Sequence, residues 1–442
     1  MLFTEPLDDS GITIYRSPIH EFGISSVCNY NKDDLIFVEK PLSILQSLPN
    51  RSNVLVCGYC HRFLGSEMTQ LKFLEGTIDR TNILHIPSSD FEIFPCKHHC
   101  GELYCSSQCC ELHHIISHQL LCTGLIPEEE VETSALIKFK VHAIETNEIF
   151  LLVADIFAHI CNAVYGGSDI VTALSPWEGY VRELWHECAI NPPDSDPTEF
   201  ANTLKNLVST SWSLLSDVLK LKDRQLDSIL SEEYFSRTIG MFERNNVGVR
   251  LRNPVLNYID NLVPNDPSTV QILEVTNNIV NNLDGNSSSD EEYNKNDNGD
   301  GDGDNDDDDD DDEEVQSLGE SHNSDVDDVE LTGDNNLDSL RTLIQSNGPD
   351  NIFPPLDGTA FYTKICRINH SCEPNCIVKY SCDRKLGLIA KVYCLKKIEV
   401  GDELVQSYID NTLDFESRQE ALRDYGFSCK CTKCLQIIEN YF

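Results

Sequence analysis

Apolar and polar residues alternate over residues 12–47, in the runs ITIYRS, GISSVCN after Gly23, and LIFVEKPLSIL. Period-two alternation puts every second side chain on one face of a pleated strand, so this stretch predicts two or three β-strands joined by turns. The period changes at residue 134. ALIKFKVHAIETNEIFLLVADIF and NTLKNLVSTSWSLLSDVLKL repeat apolar residues at helical spacing, which predicts a helical block over 134–235, broken near Asn191–Pro197. A strand-like run returns at Val247–Leu251, and 353–442 reads as short strands with many turns. Neither β-rich end is large enough to bury a core alone. The two ends must therefore share one, and the middle segments read as insertions into a single β domain.

Charge interrupts this picture once. The chain carries a formal net charge of -41, and 24 Asp and Glu stand against Lys295 alone between Asp284 and Asp338, so -23 of the -41 lies there and -18 elsewhere. This stretch of Asp, Asn, Gly and Ser is too polar to offset its ordering entropy, which predicts a disordered insert. The sign disfavours nucleic acid as a direct ligand and suits a basic polypeptide. The N-terminal MLFTEPLDDSGITIYRSP has no basic start and no apolar stretch of the signal-peptide kind, and no apolar run reaches membrane-spanning length. The expectation is an intracellular chain in the nucleus or cytoplasm, monomeric and not bound to a membrane.

In that setting clustered cysteines read as metal ligands before disulfides. Cys57-Gly-Tyr-Cys60 opens the first cluster, Cys96, Cys100, Cys105 and Cys109 follow, and His118 with Cys122 closes it. Zinc takes four soft or borderline donors at the corners of a tetrahedron, and donors two to four residues apart reach one ion from a turn or helix end. Eight donors make two closed, structural sites. His99 competes with Cys100, and His113 and His114 compete with His118; the spacing to Cys105 and to Cys122 favours Cys100 and His118. The second cluster, Cys429-Lys-Cys431-Thr-Lys-Cys434, offers three thiolates from one tight turn. Cys372, in a polar turn two residues before Pro374, is the candidate fourth ligand, and zinc there would clip the C-terminal segment onto the Asn369–Asn375 loop.

The order CxxC, CxxxC, YCSSQC, HxxxC resembles a MYND zinc finger. NHSCEPNC, GDELVQSYID and YGFSCKCTKC, in this order, resemble the SET core and post-SET zinc site of protein-lysine methyltransferases. With the finger interrupting the N-terminal strands, the chain resembles the SMYD-type SET and MYND family. The resemblance implies an α+β fold: a β-rich SET fold split by a MYND finger and a helical insertion. Its pieces would be 1–50 (first SET strands), 51–122 (finger), 123–235 (helices), 236–283 (internal SET segment), 284–350 (acidic disordered insert), 351–424 (C-terminal SET core) and 425–442 (post-SET motif and tail). It implies three zinc ions, held by Cys57, Cys60, Cys105 and Cys109; by Cys96, Cys100, His118 and Cys122; and by Cys372, Cys429, Cys431 and Cys434.

It further implies S-adenosylmethionine as cofactor and methyl transfer to a protein lysine, in a histone or other basic protein. Tyr408 matches the catalytic tyrosine and Tyr425 a second tyrosine lining the lysine channel. Gly23, Asn369, His370, Tyr408 and Phe427 match cofactor-binding positions, as does Asn245 on the internal strand in FERNNVGV, with Asn246 the near alternative. Two positions depart from the family. Where a glycine-rich turn is usual, only Gly23 of His20-Glu-Phe-Gly23 remains, and Cys366 stands where a small residue often meets the cofactor. The alternative function is therefore a catalytically inactive SET-MYND scaffold that binds partners, proline-rich peptides among them, through its finger.

Overall fold

A computed structural model describes residues 11–17, 22–85, 92–127, 131–219, 224–264, 266–287, 333–423 and 425–441. The chain forms two compact units, residues 1–257 with 353–442, and residues 258–352.

The first unit holds the strands. β1 (Ile12–Tyr15) pairs with β2 (Gly23–Ser26). β3 (Leu35–Glu39) lies beside the hairpin of β10 (Cys376–Asp383) and β11 (Gly387–Cys394), in the order β10-β11-β3. β4 (Ser43–Gln46) pairs with β8 (Leu356–Phe361), which pairs with β7 (Val247–Leu251), all antiparallel. In the finger, β5 (Phe94–Pro95) pairs with β6 (Leu103–Tyr104). β9 (Asn369–His370) and β12 (Val405–Gln406) form a short parallel pair. The two chain ends do share a core: Ile24, Ile36 and Phe37 are buried with Ala360, Ile368, Val392 and Leu404. Four strands occupy the stretch expected to hold two or three.

The helical block is a second core in this unit. Its central helix, Ile149–Tyr165, buries nine residues, including Phe150, Phe157 and Ile160. A helix apolar on most sides must be covered on most sides, and Ala135–Thr146, Pro197–Leu219 and Glu232–Asn245 pack around it. The expected break falls where Asn191 and Ser195 cross-bond ahead of Pro197, the first residue of the next helix. The finger adds the helix Glu67–Glu75, capped by a reciprocal Ser66–Thr69 box, inside the long interval from Cys60 to Cys96.

The second unit corrects the expected boundaries. Helix Ser268–Ser287 runs across the division drawn at 283, and Gly333–Asn347 is a helix rather than part of a disordered insert. Leu337, Leu340 and Ile344 recur at helical spacing and are buried, as are Ile272, Val275 and Ile279. Averaging composition over 284–350 concealed that stripe. The rest of the acidic stretch, 288–332, lies outside the described residues. Phe415–Arg423 and Thr432–Tyr441 add two helices where short strands and turns were expected.

Candidate active site and zinc centres

The three metal-ligand sets come together as the sequence spacing and the resemblance imply. Cys57, Cys60, Cys105 and Cys109 form one cluster, Cys96, Cys100, His118 and Cys122 a second, and Cys372, Cys429, Cys431 and Cys434 a third. Zinc–sulfur bonds of ~2.3 Å at tetrahedral angles put sulfurs ~3.8 Å apart. The observed separations are 3.5 Å for Cys60–Cys105, 3.7 Å for Cys96–Cys122 and 3.6 Å for Cys372–Cys434. His118 presents Nε2 at 3.4 Å from Cys96 Sγ and 3.3 Å from Cys100 Sγ. Four thiolates this close repel unless a cation stands between them, so the donor sets fit zinc. Of the competing histidines, His99 takes a left-handed turn and His113 stacks on His118 and meets the Tyr104 hydroxyl; neither joins a cluster.

Each centre fastens distant segments. The first lies on the β10–β11 turn: Leu388 N–H donates to Cys60 O at 2.8 Å, and a Cβ on Gly387 would stand 2.4 Å from Cys60. That close approach, at positive φ, requires glycine. The third is steadied by the helix Phe415–Arg423. Gln419 Nε2 approaches Cys434 Sγ at 3.5 Å, and buried Arg418 lies 3.9 Å from the same sulfur. Donors of this kind orient a thiolate and temper its charge.

The third centre is joined to the candidate active site through His370. Its Nδ1 accepts the Tyr408 N–H at 3.0 Å, which leaves Nε2 to carry the proton toward Cys372 Sγ at 3.3 Å. Its ring is thereby engaged inside the protein, and its remaining means of holding a cofactor is backbone. The Tyr408 hydroxyl donates to Ile368 O at 2.8 Å, and the Tyr425 hydroxyl donates to Tyr408 O at 3.1 Å. The two tyrosine rings lie 5.2 Å apart. Burial, then the neighbouring Cys366, pushes the Tyr408 hydroxyl well above its ordinary pKa. It stays protonated and acts as a dipole. Phe427 packs 5.9 Å from His370 with 38% of its surface exposed, and Tyr425 is 41% exposed.

The opposite wall is β2. Asn369 Nδ2 donates to Phe22 O and to Glu403 Oε1, both at 2.8 Å. A Cβ on Gly23 would stand 2.6 Å from Glu403 Oε1 and 3.0 Å from Asn369 Nδ2. Gly23 is therefore needed for strand and loop to meet. Cys366 Sγ accepts the Tyr362 N–H at 3.1 Å, so its thiol closes the turn that leads into Asn369. Exposed aromatic surface beside a glycine-lined approach of two backbones suits the adenosyl and amino-acid parts of S-adenosylmethionine.

Comparison with known proteins bears on this geometry. The SET domain family matches residues 222–409. Over 97% of its length the chain is 26% identical to "Histone-lysine N-methyltransferase ATXR2" of Arabidopsis thaliana, covering 90% of that protein. It is 42% identical to "N-lysine methyltransferase SMYD2" of Gallus gallus over 17% of each chain. It is 39% identical to a "SET and MYND domain-containing protein" of Dictyostelium discoideum over 18% of this chain and 23% of that one. The chain belongs to the SET-domain protein-lysine methyltransferases. Enzymes of this family use S-adenosylmethionine as methyl donor. Among the described residues of this SET protein, no helix is long and apolar enough to cross a membrane.

One expected SET residue is misplaced. Asn245 was expected on the internal strand, but it is the last residue of the helix Glu232–Asn245, and its Nδ2 donates to Met241 O at 2.7 Å and Val181 O at 3.3 Å. Asn246 likewise folds back on Phe242 O. The strand begins at Val247. The buried apolar face of FSRTIGMF holds the helix one turn further than strand alternation suggested.

Sequence reading missed several supports of this SET site. Glu403 receives Asn369. Arg367 lies 3.8 Å over the Tyr180 ring and donates to Tyr180 Oη at 2.7 Å, bolting the loop to the helical insertion. Arg244 joins Glu183 Oε2 at 3.0 Å to Tyr425 O at 3.3 Å. Gly426 makes room for this, since its Cβ would stand 2.1 Å from Arg244 Nη1. Only Glu403 had a local signal, in the GDEL run.

Proposed function

We propose that Tyr408, Tyr425 and the Ile368 carbonyl receive the lysine amine of a basic protein substrate, histones among the candidates, and that this site methylates it. S-adenosylmethionine supplies an electrophilic methyl on sulfonium. The observation that carries the reading is the Tyr408 hydroxyl, fixed 2.8 Å from Ile368 O with the half-exposed Tyr425 above it. A protonated hydroxyl and a backbone carbonyl are dipoles that align a neutral amine and steady charge developing on a methyl group, without acting as base. The substrate amine therefore loses its proton to solvent. Gly23, Asn369, His370 and Phe427 are the proposed cofactor contacts. Asn245 is not proposed, because its side chain bonds to Met241 and Val181.

The three zinc centres are read as structural, each closed by four protein donors. The domain division is read as SET strands around a finger at 51–122 and a helical insertion, with the second unit inserted after 257. Action in the nucleus fits a histone substrate, and the finger's proline-rich partners and a monomeric state complete the reading.

The test is purified, zinc-loaded protein with labelled S-adenosylmethionine, a histone panel and cell extract, with Tyr408→Phe as control. Label on a lysine, lost in the variant, supports the reading. Cofactor binding with no methylated product would replace it with the scaffold.

A further inference from the structure

A cavity of about 280 Å³ lies apart from the Tyr408 site, between β4, the zinc finger and the helical insertion. Two of its sides are apolar, formed by Leu45, Leu48, Leu121, Phe139, Leu151 and Leu152. One corner is cationic, with Arg51, Arg80 and Lys140. Arg51 is matched: Nη2 meets Glu102 Oε1 at 2.5 Å. Asp155, the other carboxylate in the lining, accepts the Ser43 hydroxyl at 2.9 Å. Lys140 feels Glu102 and the thiolates of Cys100 and Cys122. Arg80 is the exception. Its Nη2 donates to Arg51 O at 3.3 Å, but Nη1 is buried without a hydrogen-bond partner. A buried donor of a charged group left unmade is costly. Burial and the charge of Arg51 both weaken the Arg80 cation, and Glu102 alone among its neighbours opposes them. His61 and His113, held near 4 chiefly by burial, add no charge at neutral pH.

We propose that this cavity binds a small monocarboxylic acid with an apolar tail, its carboxylate on Arg80 and Lys140 and its tail along the leucine-lined sides. Pockets of this make-up, mostly apolar with a few converging polar groups, are the usual form of small-ligand sites. One unmatched guanidinium donor suits a single negative charge. A phosphate dianion would bring a second charge against the apolar walls without a partner for it. The occupant would also tie the finger to the helices, because its two ends touch different segments.

The experiment is calorimetric titration of zinc-loaded, full-length protein with octanoate, octanamide and inorganic phosphate. Octanoate is expected to bind saturably at one site per chain, with octanamide and phosphate about ten-fold weaker or more. Arg80→Met keeps the apolar stem, and is expected to weaken octanoate about ten-fold or more with zinc content unchanged. If that variant does not fold, Lys140→Met is titrated in its place with the same expectation. Absence of saturable binding overturns the proposal. So does equal binding of octanoate and octanamide, phosphate as tight as octanoate, or a variant that binds octanoate as the parent does.

Discussion

Tyr408 is held at three points: its N–H on His370, its hydroxyl on Ile368 O and its carbonyl under Tyr425. Tyr408→Phe removes only the second. The expected outcome is a fall in kcat of about a hundred-fold, the scale of losing one preorganised dipole, with cofactor affinity and melting temperature little changed. Single-turnover methyl transfer beside cofactor titration measures both. Glu39 makes a pH prediction. It is buried beneath the Thr363–Asn369 turn and accepts the N–H of Lys364 and Ile365 at 2.9–3.1 Å. Burial nevertheless pushes its carboxyl from 4.5 up to about 7. The fold therefore keeps a proton that the unfolded chain gives up above 4.5. That contribution is complete below 4.5 and lost as pH rises through 7. From pH 5.5 to 7.5 the parent should lose about 2 kcal/mol relative to Glu39→Gln, read from denaturant midpoints. Parallel curves for the two proteins would contradict the assignment. The contrast between these residues and the cysteines explains what was legible. Zinc ligands come in local pairs whose spacing is the signal, so the ligand sets were readable from sequence and family pattern. Glu39, Glu403 and Arg244 act on residues far along the chain, and no local pattern encodes such a partner. Asn245 failed for a related reason: its place depends on where a helix yields to a strand, which tertiary burial decides.

At the scale of elements, the C-terminal clip has the clearest consequence. Cys429, Cys431 and Cys434 reach Cys372, two residues from His370, and Tyr425 and Phe427 lie in the segment so fastened. Zinc here organises the proposed channel. Cys434→Ser should lower bound zinc from three ions per chain to two and abolish methyl transfer, while the two finger centres stay loaded. Metal analysis with an activity assay checks it, and full activity with two zincs would sink the coupling. Arg244 tests a second connection between elements. It bridges the helical insertion at Glu183 to Tyr425, and Gly426 admits it. Arg244→Met should lower kcat several-fold and alter the ratio of mono- to dimethylated product, because Tyr425 would lose one of its fixed neighbours. A merely structural role would lower stability and leave that ratio alone. The strands and main helices were legible because period-two and helical spacing are local. The split into two units was not, since it depends on which apolar stripes find each other.

For the whole molecule, charge is the variable that the fold leaves open. The matched SET region, 222–409, encloses the acidic stretch, and its flanking helices Ser268–Ser287 and Gly333–Asn347 pack on one another. A deletion that spares both helices must therefore fall within 288–332, which holds 21 Asp and Glu against Lys295. A charge of that size raises the local concentration of a basic partner and hastens encounter, by roughly ten-fold or more at low salt. It does so only within the screening length, ~10 Å at 0.1 M salt and ~3 Å at 1 M. Replacing 288–332 with a short Gly-Ser linker should raise KM for a histone substrate about ten-fold at low salt and leave kcat unchanged. The difference should vanish near ~1 M salt, because screening removes the attraction and leaves the site untouched. A short, uncharged peptide bearing the same target lysine should show no difference at any salt. If the deletion instead lowers kcat, or if its effect persists at high salt, the stretch acts on the fold or the site rather than on encounter.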